Sequence, residues 1–302
     1  MAMRRKVESF FQWDGRRQHY RHGGDEGWLP LFYHRNETFA SLHRASFDAV
    51  AAAIPTDDLV PCRWADGSAL VLVQALRYHE VTWESPDGAQ GQMMPYGEVA
   101  VAAAATRGPA ARVLPLLRPL LSGFVLQLPV TSRQARDGGR DVFGFPKFVA
   151  DMDFTEAPDS RQVRLSEGGR DILRLAVSTG GPVVSDRRPM VLYSAKDEEL
   201  WEAVAPVLGH VQARVGRRAG RLELGDHDVA RSLQALDVSA SPLAVFNYLD
   251  HRSILPAPVR TGSAARPYPA FPGRDDDLAR YTVRYPGTPA LDQYPTTQRA
   301  PA

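Results

Sequence analysis

The chain has one cysteine, Cys62, in 302 residues. No disulfide can close within it, and a reducing compartment such as the cytoplasm is the expected setting. It has almost no net charge: 36 Lys and Arg stand against 35 Asp and Glu, a formal +1. Without a field of one sign there is nothing to draw in nucleic acid or an anionic membrane, so the expected partner is a small molecule or a second copy of the chain. Long apolar runs are missing as well. The most apolar tract, Val99 to Ala105, is far too short to span a bilayer, and the basic start, Met1 to Lys6, leads into Glu8, Gln12 and Asp14 where a secretory signal would have its apolar core. No G-x-G-x-x-G opens a helix after a strand and no phosphate-binding G-x-x-x-x-G-K-[ST] occurs, which argues against a doubly wound nucleotide fold. His19 and His22 have no cysteine or carboxylate at ligand spacing, so they read as a solvated polar patch and no metal is expected.

What is present is the composition of a soluble globular protein, 44% hydrophobic and 24% charged. Residues 1–27 show neither a period of 2 nor one of 3.6 and read as an N-terminal extension. From 28 to 261 short apolar segments alternate with turns. Ser46 can cap a short helix carrying Phe47, Val50, Ala51 and Ile54 on one face, ended by Pro55. Ala69 to Leu76 reads as a strand apolar on both faces, and Glu98 to Ala104 and Phe124 to Val130 as two more. The tract from Pro109 to Leu121 is broken by Pro115 and Pro119 into short turns. Asp137-Gly138-Gly139 supplies a turn. Arg161 to Leu165 and Ile172 to Val177, joined through Glu167-Gly168-Gly169, form a hairpin signature. Ser194 with Asp197, Glu198 and Glu199 resembles a helix start, and Asp226 can cap a helix that turns Val229, Leu233 and Leu236 inward. From 262 to 302 the chain is proline-rich and reads as a tail. Many short strands with few helices predict a mostly β, α+β domain, antiparallel and barrel-like with peripheral helices.

One stretch carries chemical interest: Gly139-Arg140-Asp141-Val142-Phe143-Gly144-Phe145-Pro146-Lys147-Phe148. A lysine among aromatic, proline and glycine residues is either solvated at its tip, with its stem on apolar neighbours, or desolvated. Burial penalises the ammonium, and a neutral amine can attack a carbonyl to form a Schiff base. The second candidate is Glu98, a carboxylate heading an apolar strand, which is either a strand-edge glutamate in water or a proton shuttle beside an iminium.

Three segments together resemble the acetoacetate decarboxylase superfamily. Gly139-Arg140-Asp141 with Phe145-Pro146-Lys147 is similar to that family's Schiff-base segment, Tyr96-Gly97-Glu98 to its Tyr-x-Glu segment, and Arg221-Leu-Glu-Leu-Gly-Asp226-His227 to its Arg-Leu-x-Leu-x-Asp-His run. His34-Arg35-Asn36-Glu37 resembles its early portion, so the likeness spans about residues 28 to 260. The resemblance implies a lyase that needs no cofactor: Lys147 condenses with the ketone of a β-keto acid, the iminium accepts the electrons released with carbon dioxide, and Glu98 assists proton transfer. It also implies a homo-oligomer, and a substrate pocket including Arg35, Asn36, Gln74, Tyr96 and Phe145; Tyr248, on an apolar segment, reads either as a core tyrosine with a satisfied oxygen or as a further pocket hydroxyl. Within the superfamily the alternatives are aldol condensation with dehydration of a pyruvate-like acid, and a non-catalytic ligand-binding relative. The sequence departs from the family pattern at Phe148, where a second lysine is usual, at Gln74, where a second glutamate is usual, and in the order Arg35-Asn36. His227 beside Asp226 reads first as a cap or core hydrogen bond, and Asp141 after Arg140 as part of an ion pair orienting the lysine loop.

Overall fold

The structure is a computed structural model and describes residues 7–22, 25–108, 121–266, 271, 273 and 283–284. In chain order its elements are β1 Gln18–His22, β2 Asp25–Ala45, α1 Phe47–Ala53, β3 Leu59–Pro61, β4 Ala69–Glu84, β5 Gln90–Met93, β6 Tyr96–Arg107, β7 Leu121–Gln127 and α2 Arg133–Phe143. They continue with β8 Asp151–Ala157, β9 Ser160–Glu167, β10 Arg170–Ser178, β11 Val183–Asp186, β12 Met190–Lys196, β13 Glu199–Ala205, β14 Val207–Val215, β15 Gly220–Leu224, α3 Asp228–Ala235, β16 Ala244–Leu255, β17 Val259–Ser263 and β18 Val283–Arg284. The domain is mostly β, as its short apolar segments and scarce helical periods predict.

The strands form two sheets. The larger runs β11-β14-β16-β2-β4-β6-β7-β12-β13-β17, with β1, β3 and β5 attached to β2, β6 and β4, and the smaller runs β15-β10-β9-β8-β18. Most neighbours are antiparallel, but β7 and β12 are parallel, and among the described residues no ladder joins β11 to β17. The large sheet is therefore mixed and open where an antiparallel, barrel-like sheet was expected.

The two-faced apolar strands have a direct reason. On one face of β2, β4, β6 and β16, Phe39, Val73, Ala75, Val99, Val101 and Val245 enter a core with Met152, Leu165, Leu173, Leu175 and Leu222 of the smaller sheet. Each such Val, Leu, Phe or Met side chain, fully buried, is stabilised by about 1.5–3 kcal/mol relative to exposure. The other face of the same strands carries Ala40, Leu42, Leu72, Leu76, Ala100 and Ala102 and lines a cavity. A strand covered on both sides loses the alternation that marks a half-exposed one.

Other local expectations fare variously. Ser46 caps α1, its hydroxyl accepting from the amide of Ala49 at 3.4 Å, and β9 and β10 form the hairpin through Gly168 and Gly169. Ser194 does not start a helix. It lies in β12, which turns back into β13 through Asp197 and Glu198, both at positive φ (53° and 60°), so the acidic run is a hairpin tip and Lys196 pairs with Glu199. Asp137, Gly138 and Gly139 are not a turn but the middle of α2, which begins with Ser132 accepting from Ala135 at 3.2 Å. The cap of α3 is His227 instead of Asp226. Part of the N-terminal segment, β1, pairs with β2, and Phe271 beyond residue 262 packs edge-on against Phe148 and His227. The tract from Pro109 to Pro119 lies outside the described residues. Among those described, no helix is long and apolar enough to cross a membrane.

Candidate active site

The site is assembled by backbone pairing. Val130 bridges antiparallel to Glu98 at the start of β6 and parallel to Val149 just after Lys147. The amide of Val130 donates to Phe148 O at 2.9 Å, and that of Ala150 to Val130 O at 2.9 Å. Thr131 locks the other side, its amide donating to Gly97 O at 3.0 Å while its hydroxyl accepts from the amide of Gly97 at 2.8 Å. One short segment thus clamps the glutamate and the lysine together.

Helix α2 delivers the lysine loop. It ends at Gly144, whose φ of 65° is left-handed and therefore suits glycine, and the chain returns so that Arg140 Nε donates to the carbonyl of Lys147. Gly139 is the second glycine with a specific reason: a Cβ there would lie 2.5 Å from Lys147 Cδ and 2.6 Å from Cε. The lysine stem lies across the bare backbone of the helix.

Lys147 and Glu98 are buried, at 5% and 7% exposure. Lys147 Nζ donates to Glu98 Oε2 at 2.7 Å, and Tyr78 OH donates to Glu98 Oε1 at 3.0 Å. Each carboxylate oxygen has one donor, which fixes the plane of the carboxylate. Tyr33, Tyr78 and Tyr96 pack successively, with ring centroids 4.7 Å apart in both pairs, and Lys147 Nζ stands 5.8 Å from the Tyr96 ring centre. Burial, reinforced by the Glu98 charge, holds the Tyr78 phenol well above its usual range, so it stays a donor. Burial, with the neighbouring Tyr33 and Glu98, does the same for Tyr96.

The amine opens onto a cavity of about 190 Å³. Its floor is a grid. Tyr248, Thr38, Leu76 and Glu98 lie side by side on β16, β2, β4 and β6, followed by the row Phe246, Ala40, Gln74, Ala100 and the row Ala244, Leu42, Leu72, Ala102. All of these except Thr38 and Ala244 line the cavity. Val125 and Leu128, Met190 and Leu192, and Phe145 complete the walls. At the far side Tyr248 OH donates to Asp186 Oδ2 at 2.9 Å, and Arg188 clamps the same carboxylate through Nε at 3.0 Å and Nη2 at 2.9 Å. Burial pushes the Asp186 carboxyl up, but the Arg188 hydrogen bonds outweigh it and hold the group below its usual range. A smaller hollow of about 50 Å³, walled by Tyr20, Trp83, Met93 and Tyr96, also reaches Lys147.

Of the residues read from the sequence, Lys147, Glu98, Gln74, Phe145 and Tyr248 share the large cavity, and Tyr96 lies against the lysine in the small one. Arg35 and Asn36 line neither: Arg35 is exposed, and Asn36 is buried beside His251, with Nδ2 3.4 Å from its Nδ1. Bulges in the β2–β4 ladder around Tyr33 to Asn36 reset which face these residues occupy. The sequence reading missed Tyr78, Tyr33, Asp186 and Arg188. Tyr78 was legible in principle, since it lies two residues from Leu76 on the same strand face. Arg188 lies between named segments and had no local signal.

A family model for acetoacetate decarboxylase (ADC) matches residues 20–248. The chain belongs to the acetoacetate decarboxylase family. No curated protein matches it by sequence. Similar solved structures include an acetoacetate decarboxylase at 18% identity and TM-score 0.59, covering 78% of this chain and 90% of that one. Another is the acetoacetate decarboxylase of Legionella pneumophila subsp. pneumophila str. Philadelphia 1, at 15% identity and TM-score 0.58, covering 85% and 95%. A third is the enduracididine biosynthesis enzyme MppR, solved with the condensation product of pyruvate and imidazole 4-carboxaldehyde, at 14% identity and TM-score 0.53, covering 77% and 89%. At these identities the structures establish that this family member shares their fold.

Proposed function

We propose that this family member is a Schiff-base lyase in which Lys147 attacks the ketone of a β-keto acid and carbon dioxide is lost. The observation that carries the reading is the buried 2.7 Å contact between Lys147 Nζ and Glu98 Oε2 at the wall of an apolar cavity. In the neutral amine form, Lys147 adds to the carbonyl carbon, and the carbinolamine loses water to give an iminium. The bond from the α-carbon to the carboxylate breaks, its electron pair moves into the iminium as an enamine, and carbon dioxide leaves. One proton then adds to the α-carbon, and water hydrolyses the new iminium to release the ketone and the amine. Glu98 is the group within reach to take the ammonium proton and return it to carbon, with Tyr78 holding the carboxylate in place.

Two hollows meet at Lys147, which leaves space for a second carbonyl compound beside an enamine. That favours aldol condensation with dehydration as the second reading. Borohydride reduction in the presence of acetoacetate or pyruvate, followed by peptide mass analysis, is expected to place the adduct on Lys147. No adduct with any oxo acid would overturn the proposal. Product NMR in deuterated water separates the two readings, the first giving a deuterated ketone and the second a new carbon–carbon bond.

A further inference from the structure

The cavity extends well beyond what a four-carbon acid can fill. Four carbons in a row span three bonds, about 3.8 Å, the length of one peptide unit between Cα atoms. The floor runs across four strands, β16 to β6, or about 14 Å at ~4.8 Å per strand. Along β6 it runs from Glu98 to Ala104, about 20 Å at ~3.3 Å per residue.

The composition of this floor is specific. Alternate residues of β6 place Ala100, Ala102 and Ala104 in line behind Glu98, while Val99, Val101, Ala103 and Ala105 point the opposite way into the core. The alanines hollow out a trough between Leu72 and Leu76 on β4 and Val125 on β7, with Leu42 and Leu192 also lining the cavity. An apolar trough beginning at the reactive amine fits an apolar chain or ring. Among the described residues lining the cavity, the one charged group besides Lys147 and Glu98 is Arg188, and its guanidinium is neutralised by Asp186, which Tyr248 also contacts.

We infer that the substrate is a β-oxo acid whose apolar alkyl or aryl body beyond the ketone holds at least about five carbons, laid along the Ala100–Ala102–Ala104 trough, a stretch of about 13 Å. This inference rests on the Lys147 reading above and names the substrate class for the same site. Each methylene moved from water onto the trough is worth about a fourfold gain, a ceiling reached only on full burial.

The test compares 3-oxobutanoate, 3-oxooctanoate and 3-oxooctanedioate on the full chain, by ketone release and by borohydride trapping. The eight-carbon monoacid is expected to exceed the four-carbon acid in kcat/KM by at least about tenfold, and the diacid is expected to lose that advantage. Ala102→Leu is expected to lower kcat/KM for the eight-carbon acid far more than for the four-carbon acid, so that the ratio between the two collapses toward one. Ala100→Leu provides a second blocked trough should the first variant fold poorly, and circular dichroism checks both. A four-carbon rate equal to or above the eight-carbon rate, a preference for the diacid, or equal loss on both monoacids in folded trough variants would overturn the inference. Lys147 adducts without a length preference sink the substrate class alone; adducts with none of the three acids sink the Lys147 reading itself.

Discussion

Glu98 and Lys147, 49 positions apart in sequence, meet at 2.7 Å because Val130 pairs with Glu98 on one side and with Val149 on the other. The pair is anchored by main chain on both sides, and its side chains are shielded from water. That arrangement sets a stability cost on removing either charge. Lys147→Met leaves the Glu98 carboxylate buried with only the Tyr78 hydroxyl as donor, and breaking a buried pair in this way costs about 3–5 kcal/mol. Chemical denaturation is expected to show that loss, with a substantial part recovered in the double variant Lys147→Met/Glu98→Gln. A single variant as stable as the parent would mean that the pair is solvated.

Gly139→Ala separates stability from catalysis. In the interior of α2 the change favours the helix by up to about 1 kcal/mol, yet the new methyl would sit 2.5 Å from Lys147 Cδ. The lysine stem has to move, and a displacement of about 1 Å at a reacting group costs on the order of a hundredfold in rate. Thermal melting is expected to stay level while trapping of an oxo acid at Lys147 falls steeply. Parallel loss of both would assign Gly139 a packing role only.

Gly139 also shows where the sequence was legible and where it was not. The aromatic-Pro-Lys run and Glu98 stood out because a lone charge in an apolar run is rare at the level of single residues. The same glycines looked like a turn, since their local preference is for flexibility; their placement inside α2 answers to a lysine stem that contacts them only after the chain folds back. Likewise Asp197 and Glu198 looked like a helix start by charge, and the pairing of β12 with β13 overrode that preference. His227 took the capping role from Asp226 because its ring also reaches Glu167 at 2.9 Å inside the core, a long-range contact without a sequence period. The trough was half visible: Ala69 to Leu76 read as apolar on both faces, but only the register across β16, β2, β4 and β6 tells that one face meets core and the other a hollow.

Tyr78→Phe tests how the carboxylate is held. Removing the hydroxyl leaves Glu98 Oε1 without its 3.0 Å donor, and a buried acceptor stripped of its partner costs about 1–3 kcal/mol. The Lys147 contact through Oε2 remains, so adduct formation is expected to continue at a reduced rate. Complete loss of trapping in a folded Tyr78→Phe protein would place Tyr78 in the chemistry itself.

Stability against pH is expected to be shaped by two buried histidines. Burial depresses His251 to about 4 and His43 to about 4. The nearby Asp186 and Asp250 carboxylates only partly offset the burial of His251. His43 sits between Ser41 Oγ at 2.7 Å and the Ser239 carbonyl at 2.6 Å, so its Nδ1–H donates to the carbonyl and Nε2 accepts from the hydroxyl. The unfolded chain protonates each ring near pH 6.5, the folded protein only near pH 4, so between those values the unfolded state binds more protons. Stability is therefore full above about pH 6.5 and declines as pH falls toward 4, by about 3 kcal/mol for each ring. Urea titrations at pH 7 and pH 4.5 are expected to show this decline, and His251→Gln is expected to flatten it by roughly the share of one ring. A decline of undiminished steepness in that variant would mean that His251 is protonated in the native protein.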